Sequence, residues 1–237
     1  NAQNSLSTTK DASQNSIKQA EIALENAEKS LSQTAVSENE SFNQTFETLK
    51  TQTQNSRTNL FTVLDFMDRW AAVSNQYRFE VDPRKAALGG RSKVKKNDFK
   101  NQVETLVRDY RSLPQSYARM SNEGVLSYAN AHLNYAKKLQ STLTLFDQIS
   151  RLSIYNSNFT VADEAGIVAE IAQKSASLNG EVLGLEQAIT AANSFEERSR
   201  LSLLSAQNQV ENAKANVELA KANAASQVRS AQNQVSI

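Results

Sequence analysis

The amino-acid sequence predicts an all-α protein made of long helices. Only two prolines and six glycines interrupt its 237 residues, so long helices are permitted almost throughout. Apolar residues recur at alternating steps of three and four from Ile17 to Leu31, and again from Leu203 to Ala224. This spacing is the heptad seam of helices that wind on one another. Because the two seams lie at opposite ends of the chain, we expect them to pair, with the chain running out and back.

Composition narrows the classes of function. Hydrophobic residues make up 39% of the chain, below the usual value of about 45–50%, which suits a rod with a narrow apolar stripe. The 26 basic and 25 acidic residues give a net charge of +1, so we expect no nucleic-acid partner. There is no cysteine, which excludes disulfides and thiolate metal sites. No apolar stretch is long enough to span a bilayer, and we expect no direct membrane insertion by this segment.

The first helix is predicted from near Asn4 to about Glu80. Its early part carries a thin seam of Ala and Leu, and the seam becomes heavier from Phe42. Between Leu60 and Phe79 the apolar stripe also widens. A stripe that covers more than a third of a helix indicates contact with more than one partner.

A break is predicted after this helix. Pro83 and the pair Gly89–Gly90 interrupt the helical pattern. Six basic residues lie between Arg84 and Lys96, and we interpret them as part of a solvated loop.

Three further helices are predicted. An Asn–Asp pair at 97–98 is a suitable N-cap for a helix that Pro114 should kink or end early. Gly124 is predicted to stop that helix, and another follows from Ser127. After a second break, Thr160 and Asp163 have the spacing of a capping box for a last helix that runs from about Val161 to the end.

Two architectures fit this layout. The helices could continue collinearly across the breaks, as one long two-helix hairpin with its tip near Gly124. Alternatively the chain reverses at each break, which makes a four-helix bundle head on an antiparallel coiled-coil stalk. We favour the second, because a plain hairpin gives each helix one neighbour and would not bury the wide stripes. The stalk is then 1–59 with 196–237, and the head is 60–195. The four head helices are predicted at about 60–80, 98–121, 127–152 and 161–195.

The predicted stalk is weak by itself. An Ala/Val layer buries far less than a Leu/Ile layer, at about 0.8 kcal/mol per methylene. We therefore expect identical neighbours in an assembly to stabilise it from the side.

No pattern in the sequence predicts catalysis. The single histidine, His132, has no cysteine or second histidine with which to share a metal, so we expect a surface or packing role. Phosphate-binding glycine loops, zinc-protease and serine-hydrolase motifs are all missing from the sequence. We therefore predict no enzyme, no catalytic or metal-binding residue and no cofactor.

The two ends of the chain resemble a known family. SIKQAEIALENAEKSLSQT (16–34) resembles the ascending hairpin helix of the periplasmic adaptors, the haemolysin-secretion-D-like membrane-fusion proteins. SAQNQVENAKANVELAKANAASQVRSAQNQV (205–235) resembles the descending one. The family inserts such a helical hairpin between the two halves of a lipoyl domain. Neither half is found here, and the chain begins without Met and stops within a seam, so we expect it to be an excised segment.

The resemblance also suggests partner-contact residues. In this family the hairpin tip often carries an Arg, a Leu four residues later and a Ser seven residues beyond that, which dock onto a channel. In SYARMSNEGVLS the matching positions hold Ser116, Met120 and Ser127, and Arg119 lies close to the missing Arg. In the head-and-stalk arrangement the loops around Gly90 and Asn156 form the exposed end instead. The candidate contact residues are Arg119, Met120, Gly124 and Ser127 at the turn, and Arg84, Lys85, Arg91 and Asn156 at the loops.

The resemblance implies a non-enzymatic bridge in an efflux or secretion system. Its partners would be further copies of itself in a ring, an inner-membrane transporter of the ABC or RND type and, where a second membrane exists, an outer-membrane channel. The stalks of the ring would form a tube. The protein would be extracytoplasmic or periplasmic and anchored to the membrane through parts outside this segment.

Two other interpretations remain open. The extracytoplasmic helical-bundle sensor domain of a chemoreceptor or sensor kinase also has two long outer helices. The second is a cytoplasmic or phage structural coiled coil. The flanking sequence separates the three interpretations, because transmembrane helices indicate a sensor, half-lipoyl strands indicate an adaptor, and a structural coiled coil has neither.

Overall fold

The structure, a computed structural model, describes residues 2–114 and 120–235. Over these residues the fold is all-α, as predicted, with five helices and no β-strand. The helices are α1 (Ala2–Ala71), α2 (Arg84–Ala87), α3 (Lys93–Ser112), α4 (Asn122–Ser150) and α5 (Val161–Val235).

The chain divides into two compact units. Unit 1 comprises Asn1–Asn43 and Ser194–Ile237, and unit 2 comprises Gln44–Asn193. The division falls inside α1 and α5. Within α1 it lies earlier than the predicted boundary at residue 59, because the large buried side chains of unit 2 begin at Phe46 and Leu49.

Unit 1 follows the predicted seams. Its buried α5 residues are Phe195 and five members of the predicted seam, Ala206, Val210, Ala213, Val217 and Ala224. Ser13 Oγ of α1 lies 3.5 Å from Gln227 Oε1 of α5. The rings of Phe42 and Phe195 are 5.5 Å apart. The start of α1 therefore meets the end of α5, and the later part of unit 1's α1 segment meets the earlier part of its α5 segment.

Unit 2 is organised around α4. The fully buried ring of Phe146 stacks on Phe99 of α3 at 4.7 Å and lies 5.3 Å from Phe66 of α1. The ring of Trp70, also on α1, is 6.4 Å from Phe146. These apolar contacts join α1, α3 and α4 in one core, where burial of the large rings is the main stabilising term.

Polar contacts join α5 to the same helices. Lys137 Nζ of α4 lies 2.7 Å from Glu186 Oε1 of α5. Gln140 Nε2 donates to Asn179 Oδ1 at 2.6 Å. Asn59 of α1 donates to the carboxylate of Glu181 on α5. In unit 2, α4 thus contacts α1, α3 and α5.

The first helix ends before the predicted residue 80. Ala72 adopts a left-handed backbone with φ of 54°, and the Asp68 carboxylate accepts hydrogen bonds from the amides of Val73 and Ser74, both at 3.1 Å. These bonds end the helix. Phe79, which continues the apolar spacing in the sequence, is 81% exposed, so the prediction that it belongs to the wide helical stripe is wrong.

Helix α3 both starts and ends earlier than the predicted 98–121. Ser92 is its N-cap and accepts a hydrogen bond from the Lys95 amide at 3.4 Å, so the Asn–Asp pair lies inside the helix. At the other end Leu113 is extended, with φ of −60° and ψ of 134°. A residue before proline is pushed out of the helical region, so the predicted early end at Pro114 is confirmed.

Helix α4 starts before the predicted residue 127. Ser121 is the N-cap and its hydroxyl accepts a hydrogen bond from the Gly124 amide at 3.2 Å. The prediction that Gly124 stops a helix is therefore wrong, because the serine cap places it in the first turn of α4. This helix ends at Ser150, close to the predicted 152.

The predicted capping box of α5 is confirmed. The Asp163 amide donates to Thr160 Oγ1 at 3.2 Å, and the Thr160 amide donates to Asp163 Oδ2 at 2.8 Å. These reciprocal bonds supply partners for two amides at the helix start and fix where α5 leaves the preceding loop.

Candidate partner-binding site

Four of the candidate contact residues lie in two loops that pack against each other. The loops span 72–92 and 151–160, and we call them the loop cluster. The Arg91 amide donates to Leu152 O at 2.9 Å, and the Ile154 amide donates to Ala87 O at 3.0 Å. These backbone bonds join the two loops into one surface of unit 2.

The paired glycines permit this packing. Gly89 has φ of 63°, in the left-handed region that favours glycine. At Gly90, an added Cβ would lie 2.7 Å from Ile154 Cδ1, which is too close for any other residue without a shift. The sequence break at Gly89–Gly90 is therefore the place where one loop approaches the other.

Arg84 is held inside the loop cluster by several contacts. Its guanidinium donates to Asp82 at 2.8–3.2 Å and lies 5.5 Å from the centroid of the Trp70 ring. The side-chain hydrogen bond from Arg84 holds the pKa of Asp82 below its usual value. The positive charge of Arg84 is therefore held in one position, and about half of its side-chain surface remains exposed.

Lys85 and Lys96 fix the short helix α2. Lys85 Nζ pairs with Glu80 at 2.8 Å, and only 13% of its side chain is exposed. Lys96 Nζ donates to the carbonyls of Lys85 at 2.6 Å and Ala86 at 3.1 Å. Burial, followed by the charge of Lys100, lowers the pKa of Lys96. These two cations stabilise the loop cluster itself, and the Lys85 side chain is too buried to be a main contact for a partner.

Arg91 and Asn156 complete the set of predicted loop residues. The Arg91 guanidinium lies 5.8 Å from the Tyr155 ring centroid, a cation–π contact at the surface. Asn156 Oδ1 accepts hydrogen bonds from the amides of Asn158 at 2.8 Å and Phe159 at 3.0 Å. Its side chain thus builds a turn that seats the fully buried Phe159.

The most exposed apolar side chains of the loop cluster were not among the contact residues predicted from the sequence. Phe79 is 81% exposed and Val81 is 95% exposed. They lie beside the Glu80–Lys85 pair and the Asp82–Arg84 pair. Apolar tips among fixed ion pairs form a surface that can bind a protein with an apolar pocket and a polar rim.

The other candidate residues lie at the opposite end of α4. Met120 precedes the helix and is half-buried, Gly124 is in its first turn, and Ser127 is exposed. Arg119 and Ser116 lie outside the described residues. The 29 residues of α4 correspond to about 40 Å, so the two sets of candidates form separate surfaces.

No protein-family model, curated protein or solved structure matches this chain. The adaptor resemblance therefore remains a prediction.

The histidine has a packing role. His132 is fully buried, its Nδ1 lies 3.0 Å from the Tyr128 carbonyl, and its ring is 4.3 Å from that of Tyr128. Its Nε2 is buried without a hydrogen-bond partner in the described structure. Burial, with a smaller contribution from the Arg57 charge, lowers the pKa of His132, so the ring is neutral at pH 7.

Metal-binding groups and membrane-spanning helices are two other kinds of feature to consider. Residues 2–114 and 120–235 contain no group of three His, Asp or Glu side chains that could hold a metal ion. Over the same residues, no helix has an apolar stretch sufficient to cross a bilayer.

Proposed function

We propose that this chain is a non-enzymatic adaptor segment of an efflux or secretion system. It bridges a membrane transporter to an exit channel or envelope layer, outside the cytoplasm, as part of a ring of identical copies. Unit 1 is the antiparallel two-helix stalk, and its neighbours in the ring complete a helical tube. Unit 2 is the four-helix head, formed by α1, α3, α4 and α5.

The contacts between helices support this arrangement. In unit 1, Ser13 meets Gln227 and Phe42 meets Phe195, so residue numbers rise on one helix as they fall on the other. The same opposite order relates α3 and α4, where Lys95 contacts Gln148 and Lys138 contacts Asp109. Residue numbers that run in opposite directions along two paired helices mean that the helices are antiparallel.

The observation that carries the proposal is the apolar surface of unit 1. Its seam is made of Ala and Val, which bury little area. Yet large apolar side chains outside the seam are about half exposed. The exposed residues are Ile22 (48%), Val36 (57%), Leu201 (52%), Leu204 (45%) and Leu219 (59%). A second copy of this chain, with the same weak seam and the same exposed side chains, is the occupant we propose for this face.

The test is the self-association of the whole 237-residue chain. Burying the exposed half of Leu204 and Leu219 contributes about 1 kcal/mol each, so the double variant Leu204→Gln, Leu219→Gln should weaken association about thirtyfold. The matched control is Leu183→Gln, which removes an equally exposed leucine (55%) from the unit 2 part of the same helix. Sedimentation equilibrium over a wide concentration range measures all three proteins.

Two results would refute the ring. One is a wild-type chain that stays monomeric at every concentration. The other is a double variant that associates as strongly as the Leu183→Gln control. Either outcome would mean that the exposed leucines of unit 1 do not meet a second copy.

The loop cluster is the proposed contact with the transporter. A photo-crosslinking amino acid placed at Phe79 or Val81 in the native host should capture a transport ATPase or an RND pump, identified by mass spectrometry. The same amino acid at Ser127, which is also exposed on unit 2, is the control. Equal capture from both positions, or capture of proteins unrelated to transport, would overturn this assignment.

A further inference from the structure

A groove in unit 2 carries three arginine side chains. A cavity of about 550 Å³ is lined by Arg78, from the segment after α1, and by Arg108 and Arg111 of α3. Glu104 also lines it, so three positive charges and one negative charge leave an excess of two positive charges. Over residues 2–114 and 120–235, none of the three arginines forms an ion pair.

The arrangement follows from two local structures. Glu104, Arg108 and Arg111 are spaced by four and three residues, which places them on one face of α3. Arg78 belongs to a turn in which its amide donates to the Ser74 carbonyl at 2.9 Å. The Ser74 amide in turn donates to Asp68 at 3.1 Å. Arginines from two distant parts of the sequence are thereby held around one cavity.

Ser74 lies where the groove meets a second cavity. Its Oγ is buried without a hydrogen-bond partner in the described structure, and the residue lines the cavity. A buried polar group without a partner costs about 1–3 kcal/mol.

The cavity continues into an apolar one. A second cavity of about 300 Å³ shares Ser74 and Arg111 with the first, and its apolar walls include Phe61, Leu64 and Tyr110. Two carboxylates also line it. Asp68 accepts two backbone hydrogen bonds, and Asp65 accepts one from the Tyr77 hydroxyl and lies 3.6 Å from Arg69. Asp65 is offset by Arg69, whereas Asp68 keeps its negative charge and lowers the excess over the two cavities from two positive charges to one.

We infer that this groove binds a small organic anion with an apolar body. Its carboxylate or phosphate group lies among Arg78, Arg108 and Arg111, where planar guanidinium groups suit planar or tetrahedral oxyanions. Its aromatic or aliphatic body lies against Phe61 and Leu64. The larger cavity alone is within the range of about 300–1,000 Å³ that is usual for small-molecule sites.

The experiment uses the whole chain and four probes. They are 4-phenylbutyrate, phenyl phosphate, inorganic phosphate and the neutral 4-phenylbutan-1-ol. NMR chemical-shift titration follows the backbone amides of Ser74, Asn75 and Val107, which line both cavities. The variants are Arg108→Gln and Arg111→Gln, and Lys100→Gln removes an exposed positive charge from the same helix as a control. Circular dichroism verifies that each variant keeps its helix content.

The groove predicts a clear order of affinities. At least one aromatic anion should shift these amides at lower concentration than inorganic phosphate does, and the alcohol should not bind. Comparison of the two aromatic anions decides between a carboxylate and a phosphate. Each arginine variant should weaken binding about tenfold, the loss expected for a charged hydrogen bond, whereas Lys100→Gln should change it little.

Three results would overturn the inference. They are no shift at these amides with either aromatic anion, equal binding of the alcohol, and a loss for Lys100→Gln as large as that for Arg111→Gln. The site does not depend on the proposed adaptor role. Its failure would leave the self-association of unit 1 untouched, and the reverse also holds.

Discussion

The packing of Phe146 gives the most direct test of the unit 2 core. Its side chain is fully buried, and three aromatic rings from α1 and α3 surround it at 4.7 to 6.4 Å. Replacing a buried phenylalanine by alanine removes its transfer free energy and leaves a cavity that rigid neighbours cannot fill, at a cost of about 3–5 kcal/mol. Because a domain is stable by only about 5–15 kcal/mol, Phe146→Ala should lose a large part of the stability of unit 2.

Urea unfolding followed by tryptophan fluorescence measures this loss. The protein has one tryptophan, Trp70, and its ring lies 6.4 Å from that of Phe146. The signal therefore reports on the part of unit 2 that surrounds Phe146. The matched control is Phe79→Ala, the same truncation at a side chain that is 81% exposed, which should change stability by no more than about 0.5 kcal/mol. If Phe146→Ala costs less than about 1 kcal/mol, or no more than the control, the core described here is wrong.

Two further predictions concern single residues of unit 2. Burial lowers the pKa of His132, so as pH falls the unfolded chain binds a proton, near the ordinary histidine pKa of about 6.5, before the folded protein does. The free energy of unfolding should therefore fall from about pH 6.5 downward, and His132→Leu should remove this part of the pH dependence. An NMR titration of the single imidazole that gave a pKa at or above 6.5 would contradict the prediction. Ala72 has φ of 54°, a backbone conformation that costs an L-residue about 1–2 kcal/mol. Ala72→Gly should therefore raise the free energy of urea unfolding by about 1 kcal/mol, whereas the control Ala71→Gly, at the end of α1, should lower it. Equal losses of stability from both changes would show that glycine does not relieve the strain at Ala72.

The four long helices could be predicted from the sequence, but the short α2 and most of the helix ends could not. Apolar periodicity extends over many residues, so a single exception does not hide it. An end depends on one or two side chains that bond to the backbone. Ser92 and Ser121 are caps, yet each lies in a segment with several other polar residues that could serve equally well. At Thr160 the reciprocal partner Asp163 adds a second signal, and that helix start was predicted correctly.

The candidate sites show the same division between local and distant signals. Pro83 and Gly89–Gly90 mark the loop cluster in the sequence, because each acts on its own backbone. The arginine groove had no such mark. Arg78 and Arg108 come from different elements, and only the fold brings them to one cavity. The one available signal was the spacing of Glu104, Arg108 and Arg111 on a helix face, which is also common on helices that simply face solvent.

The boundary between the two units shows how polar residues can belong to a core. The sequence between Leu49 and Leu60 contains no apolar residue, and the head was predicted to begin at residue 60, where the apolar stripe widens. Yet Thr53 and Ser56 are fully buried in unit 2. Thr53 Oγ1 donates to the Leu49 carbonyl at 2.7 Å, and Ser56 Oγ donates to the Thr53 carbonyl at 2.9 Å. Each hydroxyl is thus satisfied by its own helix, so it can be buried without the cost of a lost partner. A small hydroxyl residue at a seam position is therefore compatible with a buried face, and a pattern that counts only apolar residues places the start of such a core too late.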